Sequence, residues 1–233
     1  HVRSRRQRQM CIRDSACYVM VDKGVFIVAD GVGGSSSGEI ASRTATRFIS
    51  QYVEDNPIDP KWDQEEMRLY FAKCLNQTNE MILEMAHRFE ENSGMATTVV
   101  VSYISGSNMY VFNLGDSRAY IVRNDEIAQV TEDHTYVNNL VQRGEITAEE
   151  ALFHPDRNQI TKALGAEEHV YPDMFIVSLE VGDVVVMCTD GLYVEVPHAD
   201  IKRIVTESVS MSEACSKPVS YTHLRAHETL RYL

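Results

Sequence analysis

The chain has 233 residues, 44% of them hydrophobic, with 34 acidic against 22 basic side chains and a formal net charge of −12. That composition fits one domain with a sizeable apolar core and excludes a disordered chain. Nucleic acid and anionic membrane surfaces are unsuited partners for so acidic a surface; no run reaches the roughly 18 apolar residues of a membrane span, and the start lacks the apolar core of a signal peptide, so the cytoplasm is the expected compartment.

The two ends stand apart from the rest. Met10-Cys11-Ile12-Arg13-Asp14 can be encoded by ATG TGT ATA AGA GAC, the reverse complement of GTC TCT TAT ACA CAT, which encodes Val219-Ser220-Tyr221-Thr222-His223. Together with the likeness of RRQRQMCIRDS and VSYTHLRAHET to translated sequencing adapters, this marks residues 1–15 and 218–233 as expected non-native additions. Residues 16–217 are then the domain, expected to be truncated at both ends. Over that span 15 basic side chains face 32 acidic ones, a net charge of −17. Cys17, Cys74, Cys188 and Cys215 lack C-x-x-C spacing, so neither a zinc site nor a disulfide framework is expected, which suits a reducing compartment.

Within the domain, Cys17 to Val21 predicts a strand, turned by Asp22-Lys23-Gly24 into Val25–Ala29, a run apolar enough to be buried on both faces that stops at Asp30. Apolar residues then recur at helical spacing over Gly38–Tyr52 and from Met67 to Phe89, giving two amphipathic helices joined by a Pro57/Pro60 loop. Met67 and Met85 belong to their packed faces. From Ala96 the period becomes that of strands: Thr97–Ile104, Met109–Asn113, Arg118–Val122 and Ile127–Val130 form an antiparallel meander. Asp133 to about Glu168 is polar and irregular, which predicts a surface flap with a short helix near Thr147–Leu152. Strands Met174–Leu179 and Val184–Cys188 and a helix near His198–Thr206 follow. Blocks of strands and helices, rather than alternation, predict an α+β fold with helices on antiparallel sheets.

Three segments carry the chemistry. In Val28-Ala29-Asp30-Gly31-Val32-Gly33-Gly34, Phe112-Asn113-Leu114-Gly115-Asp116-Ser117-Arg118 and Met187-Cys188-Thr189-Asp190-Gly191, an apolar strand runs into an aspartate beside glycine. A strand end is a rigid mount, and glycine lets backbone carbonyls approach a ligand. Carboxylates and carbonyls are the donors that hard cations take, though Asp-Gly is also a common hairpin turn. His134, His154, His169 and His198 lie in polar contexts and are expected at the surface. Thr97 and Thr98 are expected to start a core strand, and Arg118 to reach either phosphate or a neighbouring carboxylate.

In order and spacing, FIVADGVGGSSSGEIAS, MATTVVV, NLGDSRAYIV, TEDHTYVNNLVQRGEITAEEALFHPDRNQITKALG and LEVGDVVVMCTDGLYVEV resemble the bacterial metal-dependent serine/threonine protein phosphatases of type 2C, the PPM family, over about Val25–Val205. The resemblance implies a β-sandwich of two antiparallel sheets flanked by helices, with a centre of two Mn²⁺ or Mg²⁺ ions at one end. Position by position, it makes Asp30 the bridge between the ions, the Gly31 carbonyl a ligand of one and Asp190 a ligand of the other, with Asp116 on a weaker third. Asp30 and Asp190 are thus the expected catalytic residues. The implied reaction is hydrolysis of phosphoserine and phosphothreonine in proteins, opposing a kinase, by water activated between the cations. No Cys-x5-Arg loop offers a cysteine nucleophile instead.

The chain also departs from the family pattern. Ser35 stands where members often carry a His proposed as acid for the leaving group. Val194, beside Glu195, replaces an acid that helps hold the third ion. The family's upstream Arg and Glu-Asp pair fall within residues 1–15, where Asp14 stands at or beside one acidic position, and the Asp-Asn segment expected beyond Cys215 is absent. These departures keep open an impaired, phosphoprotein-binding regulatory domain, and a small-molecule phosphohydrolase on the same fold.

Overall fold

A computed structural model describes residues 11–12, 14–32, 36–88, 94–208 and 231–232. In chain order the elements are strands β1 (Cys11–Ile12), β2 (Ser15–Met20) and β3 (Val25–Val32), helices α1 (Ser36–Asp55) and α2 (Gln64–Arg88), strands β4 (Ala96–Thr97), β5 (Val99–Ser105), β6 (Asn108–Leu114), β7 (Arg118–Arg123) and β8 (Glu126–Gln129), helices α3 (Tyr136–Gln142) and α4 (Ala148–Phe153), strands β9 (Asp173–Ser178) and β10 (Val184–Cys188), helices α5 (Asp190–Tyr193) and α6 (His198–Glu207), and β11 (Arg231–Tyr232).

The strands form two antiparallel sheets, one in the order β1-β2-β3-β5-β6-β9 with β4 added to β3, the other in the order β11-β10-β7-β8. Period-two alternation sorts β3 between two faces. Val25, Ile27 and Ala29 pack with Ala41, Ile49, Phe71 and Leu75 of α1 and α2, while Val28 points the other way, into a layer with Val100, Val111, Ala119, Val185 and Met187 from both sheets. Outside the second sheet, Tyr120, Val186 and Cys188 pack on Leu192, Ile201 and Ile204. The architecture is therefore helix, sheet, sheet, helix: the α+β sandwich expected from the sequence. Phe71, fully buried and stacked on Phe112 with ring centroids 4.4 Å apart, ties α2 to the first sheet; truncating such a side chain costs about 3–5 kcal/mol. No described helix is long and apolar enough to cross a membrane.

Several expectations change in the structure. The strand expected to stop at Asp30 continues to Val32, because Gly31 and Val32 find partners in Thr97 and Ala96 of β4. The turn at Asp22-Lys23-Gly24 is a 3-10 turn over Val21–Lys23, closed by Gly24 at φ +67°. The single strand expected over Thr97–Ile104 is interrupted at Thr98, whose hydroxyl takes the place of its carbonyl in accepting the Asp30 N–H of β3. The flap contains a helix, α3, that the sequence reading lacked, and α4 begins behind a capping box between Thr147 and Glu150.

Nor is the whole flap segment surface. Leu164 is fully buried in the main core and its backbone pairs with Thr97. The Asn79 amide of α2 accepts the Gly165 N–H at 2.7 Å and donates to the Glu167 carbonyl at 2.8 Å, drawing this part of the chain inward. A side chain at Gly165 would meet the Met95 carbonyl at 2.4 Å. Phe89, Gly33, Gly34, Ser35 and Cys215 lie outside the described residues, as do residues 1–10 and 218–230 of the two segments set apart by their codons. The proposed boundary after residue 15 falls inside β2.

Candidate active site

Asp30 is fixed by hydrogen bonds from both neighbouring strands. In the β2–β3 register Ser15 lies opposite it, and the Ser15 hydroxyl donates to Asp30 Oδ1 at 2.8 Å. On the other side the Asp30 carbonyl accepts from the Thr98 N–H and from the Thr97 hydroxyl, both at 2.8 Å, and the Asp30 N–H donates to Thr98 Oγ1 at 3.1 Å. Thr97 and Thr98 therefore position an aspartate as well as filling the core. The next residue, Gly31, donates its N–H to the Asp14 carbonyl at 2.9 Å. A Cβ there would lie 2.2 Å from the Gly38 carbonyl of α1, so only glycine permits this approach.

Thr98 also links Asp30 to the second acidic turn. Its hydroxyl lies 2.7 Å from that of Ser117, a buried contact between the strand beside Asp30 and the residue after Asp116. Gly115 turns the chain at φ +107°, where a Cβ would sit 2.6 Å from Thr98 Cβ. Within the second sheet, the last ladder pair at this end joins Cys188 of β10 to Arg118 of β7. Just past that pair each chain runs into its aspartate, Asp190 and Asp116, and both line one cleft. Asp190 opens α5, where its carbonyl accepts the Val194 N–H at 2.9 Å. Thus Asp190 starts a one-turn helix, whereas Asp30 lies inside a strand; the sequence had placed both at strand ends.

The electrostatics follow from this convergence. Asp116 is 8% exposed, and its carboxyl is pushed up to about 7, first by burial and then by the charges of Asp190 and Asp133. The Tyr193 hydroxyl donates to the Asp116 carbonyl at 3.0 Å and to Oδ2 at 3.3 Å. Burial, and then the charge of Asp116, push this phenol up, so it stays protonated as a donor. Arg118 does not point free toward a substrate. Its guanidinium grips Asp133 through Nε to Oδ1 at 2.9 Å and Nη2 to Oδ2 at 2.6 Å, and lies 3.5 Å from the centre of the Tyr193 ring. Of the two roles open to Arg118, the ion pair is the one observed.

Asp116, Asp190, Tyr193 and the 66% exposed Val194 line a cleft of about 510 Å³, whose opposite wall is the flap, with Val137, Val141, Ala151 and Leu152. The exposed Arg157 also lines it, a cation that the sequence reading overlooked. An arginine in a polar segment carries no local signal; only the fold brings it to the carboxylates. His134 corrects another expectation: it is 7% exposed, not a surface residue. His154 is half-buried, and His169 and His198 are exposed, although His198 Nε2 lies 3.0 Å from the Tyr120 hydroxyl.

A hard divalent cation suits part of this set. Burial is the main reason that Asp116 is raised, and the charges of Asp190 and Asp133 that add to it are what such an ion would relieve. Asp133, however, is already engaged by Arg118, and among the described residues no group of three or more His, Cys, Asp or Glu side chains is arranged to hold a metal. Charge coupling acts over longer distances than a metal–oxygen bond of about 2.1 Å, so the charge fits a cation while the described ligand count falls short. Cys17, Cys74 and Cys188 are buried thiols, and burial pushes Cys74 up to about 12, far from a reactive thiolate.

The sequence model of the protein phosphatase 2C family matches residues 3–227, a span that enters both terminal segments. The chain is 35% identical over 189 residues to the serine/threonine phosphatase stp of Listeria innocua, covering 81% of this chain and 74% of that protein. Its fold matches the serine/threonine phosphatase Stp1 of Staphylococcus aureus with a TM-score of 0.81 at 30% identity, covering 89% of this chain and 81% of the other. The catalytic domain of the serine/threonine protein phosphatase PstP, solved in complex with two manganese ions, superposes with a TM-score of 0.78 at 25% identity, covering 97% and 94%. Acidic turns gathered at one end of a double sheet, and matches of this extent, lead to one assignment: the chain belongs to the protein phosphatase 2C family.

Proposed function

We propose that this chain hydrolyses phosphoserine and phosphothreonine in proteins at the cleft between the sandwich end and the flap, with Mn²⁺ or Mg²⁺ as cofactor. In this reading Asp30, the Gly31 carbonyl and Asp190 would hold two cations, and Asp116 would hold a third more weakly. The carrying observation is that the turns beside β7 and β10 bring Asp116 and Asp190 to one cleft, where burial and then the charge of Asp190 raise the Asp116 carboxyl. When bound, the cations supply water that is deprotonated near neutral pH and screen charge on the phosphoryl oxygens.

The chain's own residues bind and orient. Thr98 and Ser117 hold the Asp30 and Asp116 turns at a fixed separation. Arg157 draws the phosphate into an otherwise acidic cleft, and the flap excludes water from the bound phosphoester. The cytoplasm, where such a site would oppose a Ser/Thr kinase, is the proposed compartment.

The test is release of phosphate from a phosphothreonine peptide by the full chain with Mn²⁺, and its loss in Asp30→Ala. Turnover that persists in Asp30→Ala, or is independent of divalent cations, would overturn this assignment. A second reading, a domain that binds phosphoproteins without turnover, is favoured by Val194, which cannot ligate a metal. It predicts phosphopeptide binding with no phosphate released by the wild-type chain.

A further inference from the structure

His134 makes two hydrogen bonds to a single glycine. Its ring Nδ1 accepts the Gly115 N–H at 3.0 Å, and its backbone N–H donates to the Gly115 carbonyl, also at 3.0 Å. Gly115 is the residue whose left-handed turn, at φ +107°, leads the chain into Asp116. Both main-chain polar groups before the aspartate are thus held by one buried side chain and its own backbone.

The far side of the ring is held as well. Nε2 lies 3.1 Å from Asp173 Oδ2, and Lys162 Nζ lies 3.0 Å from Asp173 Oδ1 and 3.2 Å from Nε2. Because Nδ1 must accept from Gly115, a neutral ring carries its proton on Nε2 and donates to Asp173. Lys162 then pairs with Asp173 rather than with the ring. The three partners come from separate parts of the fold: the Gly115 turn, the first residue of β9, and the segment leading to buried Leu164. The charged groups facing the ring are Lys162, Asp173 and Asp133; burial, the largest influence, lowers its affinity for a proton, and the Asp173 bond opposes that.

We propose that His134, as the Nε2–H tautomer oriented by Asp173 and Lys162, is a positioning residue that clamps the Gly115 turn and so aims Asp116 toward Asp190. A protonated ring would direct an N–H at the N–H of Gly115 and release the clamp. A buried histidine that only satisfies the core has no need of a tautomer fixed by an ion pair, nor of two bonds to the one residue that orients an acidic side chain. The proposal rests on Asp116 belonging to the phosphatase site, and its test separates the two ideas.

The first readout is independent of activity. In ¹⁵N NMR of the full chain near pH 7, the His134 ring should show a bare Nδ1 and a protonated Nε2, with hydrogen-bond coupling from Gly115 N–H to Nδ1. An Nδ1–H tautomer or an imidazolium would overturn the proposal whether or not the chain is an enzyme. The second readout uses Mn²⁺-dependent turnover of a phosphothreonine peptide. His134→Ala should lower kcat about 10–100-fold, leave KM within about threefold, and speed exchange of the Gly115 amide. His134→Asn, whose Oδ1 can replace Nδ1 as acceptor, should recover most of the loss. Wild-type kcat in a folded His134→Ala, or no recovery in His134→Asn, would sink the proposal. If His134→Ala does not fold, the wild-type ring spectrum and His134→Asn decide it. If no form turns over phosphopeptide, the phosphatase reading fails and the ring spectrum and amide exchange still decide the clamp.

Discussion

The two walls of the cleft are built differently. The sandwich wall is over-determined: Asp116 is bonded by Tyr193 in a turn that only glycine can enter, and behind it Asp30, linked to that turn through Thr98 and Ser117, is bonded by Ser15, Thr97 and Thr98. On the flap wall α4 is lightly held, since it has no buried residue and Leu152 and Phe153 are 67% and 85% exposed. Chemistry that needs charges fixed to fractions of an ångström belongs on the first wall, and contact with variable substrates on the second. Changes on the sandwich wall should therefore alter turnover and stability, whereas changes in α4 of the flap should alter recognition alone.

The largest effect is expected from Asp190→Asn, which preserves shape while removing a charge from the cleft shared with Asp116. Turnover with saturating Mn²⁺ should fall on the order of 10²–10³-fold; a loss below tenfold would mean that the sandwich wall does not carry the chemistry. Next, Gly115→Ala combines a left-handed backbone with a clash against Thr98. Urea denaturation should show a loss of about 2–4 kcal/mol, and an unchanged midpoint would show that the turn is not over-determined.

Asp116→Asn should move stability the opposite way in the metal-free chain. The folded carboxyl is raised from 3.8 to about 7, so the folded state holds a proton that the unfolded state has lost. The resulting penalty is fully present above about pH 7 and disappears as pH falls toward 4. Asp116→Asn should thus stabilise the metal-free chain by about 1–3 kcal/mol at pH 8 and much less at pH 4. A pH-independent difference between the two proteins would contradict the raised Asp116 carboxyl, which burial and then the Asp190 and Asp133 charges produce. The smallest effect belongs to the flap: Leu152→Ala should leave stability within about 0.5 kcal/mol and raise KM for a phosphoprotein by about two- to fivefold. Turnover of a small aryl phosphate should not change, and an equal loss on both substrates would erase the contrast between the walls.

How far the sequence revealed this design varies along the chain. The strand Val184–Cys188 and the start of α6 at His198 match the structure, because a continuous β-branched run and an amphipathic stripe are local signals. The extension of β3 past Asp30 was hidden, since it depends on β4, over sixty residues away. His134 read as a surface residue because its polar neighbours carry no trace of Gly115, the partner that buries it. Leu164 was lost in a hydrophilic segment whose burial depends on Asn79 and Thr97. Arg157 had no pattern to find.

By itself, the sequence determined the α+β layering, the run of acidic turns and the family. Hydrophobic period and short glycine–aspartate motifs are properties of neighbouring residues, and they survive without knowledge of the fold. Only the tertiary structure decided which aspartates share a cleft, that Arg118 is occupied by Asp133 while Arg157 enters the cleft, and that a buried histidine grips the turn before Asp116. Those are distances between residues remote in sequence, and electrostatic and hydrogen-bond energies depend on such distances.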